Sequence, residues 1–317
     1  MNRNSWLAKR ILGLSEIVVI GALLGSFAAL FGKYHFLLDL CTHFRLQAIG
    51  GLLVCGFLVT LLSKRRWFGI LAMVTGLGLL LTLAPYFPRK STDPGNAGFR
   101  VMSFNVLTSN ESKEAVADYI LSEAADVVVL LEIDANWSVA MQKRLSGDYP
   151  HSIQRTRADN FGIAAFSKRP FQSAEIIHPG PDQLPSVDLR FQNLRLIGTH
   201  PLPPMNAEHW RSRNHQFEAL ADLIKPDEPT IVCGDFNSGP WSPYLKGFLE
   251  EAALVDSAVG KGISPTWYGM FNLVGLPIDH IFLSEELAVE RRKIGPYLGS
   301  DHRPVTVDFR FSKPALD

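Results

Sequence analysis

"GSDHRPVTVDF", Gly299 to Phe309, places an aspartate and a histidine side by side at the mouth of a strand-like run. Val305, Val307 and Phe309 alternate with polar residues, a spacing that predicts a half-buried strand. An ionisable pair at such a position costs desolvation energy unless it is paired or used. Similar placements recur upstream. Asn105 closes "SFN", Glu132 closes "VVVLLE", His200 closes "LIGTH", Asp235 and Asn237 follow "IVCG", and Asp279 lies in "PIDHIF". One such residue is an ordinary turn former or cap. The repetition predicts one rim of a sheet assembly that gathers carboxylate, amide and imidazole, and loop residues on a rigid scaffold commonly carry function.

The runs between these residues fit that picture. "RVMSFNVL", "DVVVLLEI", "FGIAAFSK", "SVDLRFQ", "LRLIGTH", "PTIVCGDFN", "PIDHIFLS" and "PVTVDFRF" read as strands. "SKEAVADYILSEA", "NWSVAMQKRL" and "NAEHWRSRNHQFEALADLI" have helical spacing, the last with Trp210, Phe217, Leu220 and Ile224 on one side. Strands outnumber helices and often come in pairs, which argues for sheets covered by helices and against a strictly alternating parallel sheet. The chain shows no internal repeat and no low-complexity segment.

Glu132, Asp301 and Asn105 offer oxygen ligands without thiolate, a set that suits Mg2+ or Mn2+ more than zinc. Such a metal polarises a phosphoryl oxygen, a carboxylate orients an attacking water, and imidazoles donate to phosphate oxygens or transfer protons. Ser238 and Ser300 lack an evident dedicated base, so direct metal-assisted hydrolysis is the economical reading. The cysteines Cys41, Cys55 and Cys233 have no zinc or disulfide spacing and do not decide a compartment.

Taken in order, "SFNVL", "VVLLE", "GTHPLPP", "VCGDFNS", "PIDHIFLS" and "GSDHRPV" resemble the endonuclease/exonuclease/phosphatase superfamily, from about Phe99 to Phe311. The resemblance implies an α+β four-layer α/β/β/α sandwich and Mg2+-dependent hydrolysis of phosphate esters. It implies Glu132 as principal metal ligand, Asn105 as the amide supporting the metal shell, and Asp301 as a second metal-side carboxylate. Asp235 resembles the group that orients or activates water, and Asn237 the amide that holds phosphate. His200 resembles a phosphate-binding or leaving-group imidazole, His302 the catalytic imidazole, and Asp279 the carboxylate that orients it. Whether Asp235 or His302 acts as base stays open at this point. Two departures stand out: Leu131 replaces the usual Gln before the metal Glu, and "IDH" replaces "IDY", with His280 expected to face the interior. His209 and His215 lie six apart on the long helix, unsuited to ligating from one face, and read as surface or packing residues. "NES" at Asn110 and "NWS" at Asn136 match a glycosylation triplet, a pattern that also arises by chance.

Ahead of this region the chain changes character. Of 317 residues, those up to Lys90 hold ten Lys/Arg against Glu16 and Asp39, about +8, while the rest holds 21 basic and 29 acidic residues, about −8. Three apolar runs, 11–31, 46–62 and 67–84, each approach the roughly 20 residues that span a bilayer core, and are expected to be transmembrane helices. A cleaved signal peptide is the alternative for the first; its apolar region is too long, and two more runs follow. Glu16, inside the first run, marks either a polar contact in the bundle or a side chain reaching water near its end. Residues 85–98, rich in Pro and Gly, read as a linker to a catalytic domain over 99–317. Six basic residues flank one side of the spans (Arg3, Lys9, Arg10, Lys64, Arg65, Arg66) and four the other (Lys33, Arg45, Arg89, Lys90). This predicts a cytoplasmic amino terminus and an extracytoplasmic catalytic domain.

A nuclease needs an electrostatic footprint for a polyanion, and the region after Lys90 is acidic with no basic run. A domain fixed at a bilayer more readily meets lipid-linked phosphates, and apolar loops at 201–205, 239–244 and 266–275 suit acyl or prenyl chains as well as ordinary loop packing. The expected function is therefore a membrane-anchored phosphoesterase, with an envelope nuclease as the enzymatic alternative. A non-enzymatic tethered binding domain ranks low, because none of the main site residues is missing.

Overall fold

The computed structural model describes residues 3–89, 98–269 and 274–312. Most of the expected linker 85–98, the tip of the 266–275 loop and the last five residues lie outside the described residues. The chain divides into two compact units, Met1–Phe87 with Trp241–Pro243, and Pro88–Pro240 with Tyr244–Asp317.

The first unit is helical: α1 (Arg3–Ala29), α2 (Phe36–His43), α3 (Arg45–Leu62) and α4 (Arg66–Leu81), followed by a 3-10 turn at Ala84–Tyr86. Among the described residues, two helices are long and apolar enough to cross a membrane, Trp6–Ala29 and Arg45–Leu62. The third expected span, 67–84, forms a helix of 16 residues, and its last three residues leave the α-helix. At 1.5 Å per residue α4 is about 24 Å long, short of a hydrocarbon core of about 30 Å. Small residues let α3 and α4 pack closely. A Cβ on Gly56 would meet Ala72 Cβ at 3.0 Å, and one on Gly69 would collide with Thr60 Oγ1 and the Gly56 carbonyl. Glu16 Oε1 accepts a hydrogen bond from Ser63 Oγ at 3.4 Å. α2 had no signal of its own, because its eight residues continue the apolar pattern of their neighbours.

The second unit holds two six-stranded sheets. The first runs β13 (Leu287–Ile294), β14 (Val305–Phe311), β1 (Phe99–Asn105), β2 (Val127–Leu131), β4 (Ile163–Ser167), β3 (His151–Arg155). The second runs β5 (Ser173–Ile177), β6 (Ser186–Phe191), β7 (Leu194–Thr199), β8 (Thr230–Asp235), β12 (Asp279–Ser284), β9 (Leu254–Asp256). A hairpin of β10 (Trp267–Gly269) and β11 (Val274–Leu276) stands apart. Strand alternation assigns alternate side chains to different layers. Val127, Val129 and Leu131 of β2 join Leu196, Ile231, Ile281 and Val307 in the core between the sheets. Val128 and Leu130 join Val116, Ile120, Trp137 and Met141 from α5 (Lys113–Glu123) and α6 (Ala135–Leu145). On the second sheet, Ile197, Val232 and Phe282 meet Phe217 and Leu220 of α7 (Ala207–Leu223) and Phe248 of α8 (Pro243–Glu251). The unit is thus an α/β sandwich in four layers.

Strand direction positions the chemistry. β1 and β2 are parallel, and β14 is antiparallel to β1; β7 and β8 are parallel, and β12 is antiparallel to β8. The carboxyl ends of four central strands and the amino ends of two others therefore lie at the same rim of their sheets.

Candidate active site

Each site residue is held there by local backbone. Gly234 pairs with Thr199 across β7 and β8, where any Cβ would collide with the Thr199 carbonyl oxygen. Only glycine allows that approach, and the next residue, Asp235, is delivered to the strand end. Glu132 follows β2 with φ +63, a left-handed conformation that costs about 1–3 kcal/mol in a non-glycine residue. Thr108 holds it in place: its hydroxyl donates to the Glu132 carbonyl oxygen at 3.0 Å and its N–H to Oε2 at 3.1 Å. Asn237 is also left-handed, at φ +48.

Asp235 is the hub, with 2% of its surface exposed. Its Oδ2 accepts from Asn105 Nδ2 at 3.2 Å and lies 3.4 Å from His200 Nε2 and 3.5 Å from His302 Nε2. Its Oδ1 accepts from the Asn237 N–H at 2.9 Å. Asn105 Nδ2 also donates to Glu132 Oε1 at 2.9 Å, while its Oδ1 accepts from the Leu107 N–H at 3.1 Å. Asn105 therefore holds two carboxylates with its amide nitrogen. Asp279 receives His302 Nδ1 at 2.9 and 3.0 Å, and its own N–H donates to Thr266 Oγ1 at 3.0 Å. The contacts join strand ends and adjoining loops of both sheets: Asn105, Glu132 and His302 beside the first, His200, Asp235, Asn237 and Asp279 beside the second. Asp301 stands beside this network. Its Oδ2 accepts from Trp267 Nε1 at 2.8 Å, and its Oδ1 is buried without a hydrogen-bond partner among the described residues.

Burial opposes charge on both Asp235 and His302, yet the pair stays ionic. Desolvation pushes Asp235 up, and the charge of His302 together with the His200 hydrogen bond and charge overrides it, leaving the carboxyl at about 2. Desolvation likewise pushes His302 down, but Asp279 and Asp235 hold its pKa at about 10. His302 thus carries a proton on each ring nitrogen, one toward each aspartate.

Ligand atoms of Asp235, Asp279 and His302 lie within 4.8 Å of one another, close enough to hold a metal ion. A protonated imidazole is a donor and no ligand, so this trio is already satisfied as an ion pair. The metal-side set fits a hard cation better: Glu132 and Asp301 are oxygen donors, and the orphaned Asp301 Oδ1 is an acceptor awaiting a partner.

His280 alternates with Asp279 on β12 and turns to the opposite face, where Nδ1 meets Asp256 Oδ2 at 3.1 Å and Nε2 meets the Ser238 carbonyl oxygen at 3.0 Å. It is an interior residue. Asn110 is 5% exposed and donates to the Val106 and Leu298 carbonyl oxygens, which removes it as a glycosylation site. Sequence reasoning missed Thr108, weighed Ser300 only as a nucleophile, and read Thr266 and Trp267 only as part of an apolar loop; Ser300 Oγ donates to the Asn105 carbonyl oxygen at 2.8 Å. Loop Ser, Thr and Trp residues are common, and nothing in their spacing marks them.

Fold and site together make a two-sheet α/β scaffold with a buried carboxylate–imidazole rim. The model of the endonuclease/exonuclease/phosphatase family matches residues 102–302, and the chain belongs to that family. Among solved structures it is similar to an endonuclease/exonuclease/phosphatase from Beutenbergia cavernae, with TM-score 0.58 and 20% identity over 69% of this chain and 73% of that one. It is also similar to the 3'-5' exonuclease NExo from Neisseria meningitidis, with TM-score 0.57 and 19% identity over 67% of this chain and all of that one. A humanized D. rerio TDP2 gives TM-score 0.54 and 17% identity over 67% of this chain and 98% of that one. A search of curated protein sequences finds no match.

Proposed function

We propose that this chain is a membrane-anchored, Mg2+-dependent phosphoesterase that acts on a lipid-linked phosphate or pyrophosphate. The observation that carries the reading is one chain joining two helices of membrane-crossing length to a phosphoesterase rim whose donors and acceptors suit phosphoryl transfer. Glu132 and Asp301, with Asn105 holding Glu132 in place, would hold Mg2+ or Mn2+, which when bound would neutralise charge at a phosphoryl oxygen. Asp235, ionised at neutral pH, accepts a hydrogen bond from the attacking water and aims its lone pair. His302, protonated and oriented by Asp279 through Nδ1, lies with Nε2 a loose 3.5 Å from Asp235, and this second N–H turns to a phosphoryl oxygen when substrate is bound. Asp235 rather than His302 is thus the water-side group. His200 has no partner for Nδ1 among the described residues, and serves the phosphate or the leaving group. Asn237 already donates one amide hydrogen to the Pro201 carbonyl oxygen at 3.1 Å, which fixes its side chain for contact with the phosphate.

The basic flanks favour a cytoplasmic amino terminus and an extracytoplasmic catalytic domain. That placement hangs on α4 crossing as a third span, since two spans would return the domain to the side of the amino terminus. Its shortfall of about 6 Å against a hydrocarbon core of about 30 Å is within what local bilayer thinning and snorkelling flanks accommodate. Nucleic acid is the second reading, favoured by the likeness to NExo, a 3'-5' exonuclease seen elsewhere as a 3' phosphatase bound to a product DNA hairpin. The acidic balance after Lys90 weighs against it. Turnover of a soluble phosphodiester by full-length protein in detergent tests the core of the proposal. EDTA should abolish turnover and Mg2+ restore it; turnover indifferent to EDTA removes the metal.

A further inference from the structure

The helical unit contains a hollow of about 410 Å³, lined chiefly by Gly21, Gly25 and Ala29 of α1, Arg45 and Ala48 of α3, and Leu79 of α4. Small residues at spacing of four usually bring helices together. That is their use between α3 and α4, where added Cβ atoms on Gly56, Gly69 and Gly76 would meet neighbours at 3.0 Å or closer. On α1 the same pattern does something else. A Cβ on Gly21 or on Gly25 would meet nothing within 4 Å among the described residues. The stripe on α1 leaves space that the protein does not fill, and the volume lies within the range of about 300–1,000 Å³ typical of ligand cavities.

The hollow is polar at one end. Arg45 lies at the first turn of α3, level with the last residues of α4, where its Nη1 donates to Thr82 Oγ1 at 3.1 Å. Among the described residues no carboxylate pairs with Arg45. α1 contributes Ser26 and Ala29, from its carboxyl-terminal end, to the same region.

We propose that this hollow holds the hydrocarbon chain of a phosphate-bearing lipid, with the Arg45 guanidinium meeting the phosphate. The proposal rests on the membrane-anchored, lipid-directed reading given above, and adds to it a holding site in the helical unit. An apolar slot in a bilayer fills with some chain in any case, because an empty slot forfeits dispersion contacts. The guanidinium is what makes the slot selective: its planar donor fork matches phosphate oxygens bidentately.

The test uses full-length protein in phosphatidylcholine nanodiscs with EDTA present, so that nothing is turned over. Hexadecyl phosphate, neutral hexadecanol and inorganic phosphate are offered separately, and retained ligand is read by native mass spectrometry. Wild type should retain hexadecyl phosphate over hexadecanol by at least about tenfold, or about 1.4 kcal/mol, and bind inorganic phosphate far more weakly. Gly21→Leu and Gly25→Leu place a side chain in the hollow from positions where a Cβ meets no described atom within 4 Å, and each should cut retention by about tenfold. Arg45→Gln should erase the preference for phosphate over alcohol, and Arg45→Lys should restore part of it. With Mg2+ in mixed micelles, the leucine variants should raise KM for hexadecyl phosphate and leave kcat in place. Equal uptake of alcohol and phosphate by wild type, or undiminished retention in both leucine variants, overturns the holding site. If wild type hydrolyses hexadecyl phosphate but the variants match it in KM, the holding site fails while the lipid-directed reading stands. If wild type neither retains nor hydrolyses it, and cuts DNA, the lipid-directed reading fails first.

Discussion

Replacing Asp279 by Asn tests the electrostatics of the site directly. Asp279 is 2% exposed, receives His302 Nδ1 at 2.9 Å, and leads the charges that hold His302 near 10 against the desolvation that would lower it. The Asp279→Asn substitution keeps the shape and one acceptor oxygen but removes the charge. Removing one partner of a buried ion pair costs about 3–5 kcal/mol, and one pKa unit corresponds to about 1.4 kcal/mol. The His302 pKa should therefore fall by roughly 2–4 units, toward or below neutrality. Folding stability at pH 7 should fall by a similar energy. The assay is a histidine-selective 15N titration in EDTA, paired with urea unfolding of the same protein. Loss of the proton should also cost turnover at pH 8 more than at pH 6, since the imidazole acts as a donor. A His302 pKa still near 10 in Asp279→Asn, or a stability loss below about 1 kcal/mol, refutes the ion-pair account.

Four other outcomes follow from the structure. Glu132→Gln should weaken Mg2+ binding and abolish turnover while the protein still folds in EDTA, with a stability loss of about 1–3 kcal/mol because one of the two N–H donors loses its acceptor, checked by calorimetric metal titration and thermal unfolding. Gly234→Ala must move the Thr199 carbonyl or the strand, so it should cost several kcal/mol in urea unfolding, at the upper end of single-residue effects. Gly69→Leu should separate α3 from α4 and lower the melting temperature of detergent-solubilised protein, whereas Gly25→Ala should not. In EDTA, the stability difference between wild type and His302→Gln should be whole below about pH 6.5, because the folded pKa is raised, and be lost as pH rises toward 10. A difference that is flat from pH 6 to 10 contradicts that assignment.

Much of the sandwich was legible because its central strands are buried on both faces. "DVVVLLEI" and "PTIVCGDFN" are continuous apolar runs ending in one polar residue, and both became central strands ending at the rim. The edge strands were not legible. "HSIQR", "SAEII" and "LAVERRKI" are half exposed and mix charge with apolar residues, so neither period nor composition marks them. α8 begins in "GPWSPY", where Pro and Gly signal a loop, and its apolar face shows only from Leu245 onward. The site residues were visible as residue types at strand ends. Their connections were not, because Asn105 and Asp235 are 130 positions apart and meet only when two sheets face each other. The third apolar run shows the limit of composition: it fixed the presence of a helix but not its length, which depends on where Thr82 leaves the helical path.

The central claim is that a Mg2+-dependent rim works on lipid phosphate in preference to nucleic acid. The direct measurement is competition in one vessel: full-length protein, Mg2+, low salt, hexadecyl phosphate in mixed micelles and plasmid DNA, with Asp235→Asn as the inactive control. The account predicts phosphate release from the lipid with the plasmid still supercoiled. Rapid nicking of the plasmid beside an untouched lipid pool would contradict it and place nucleic acid first.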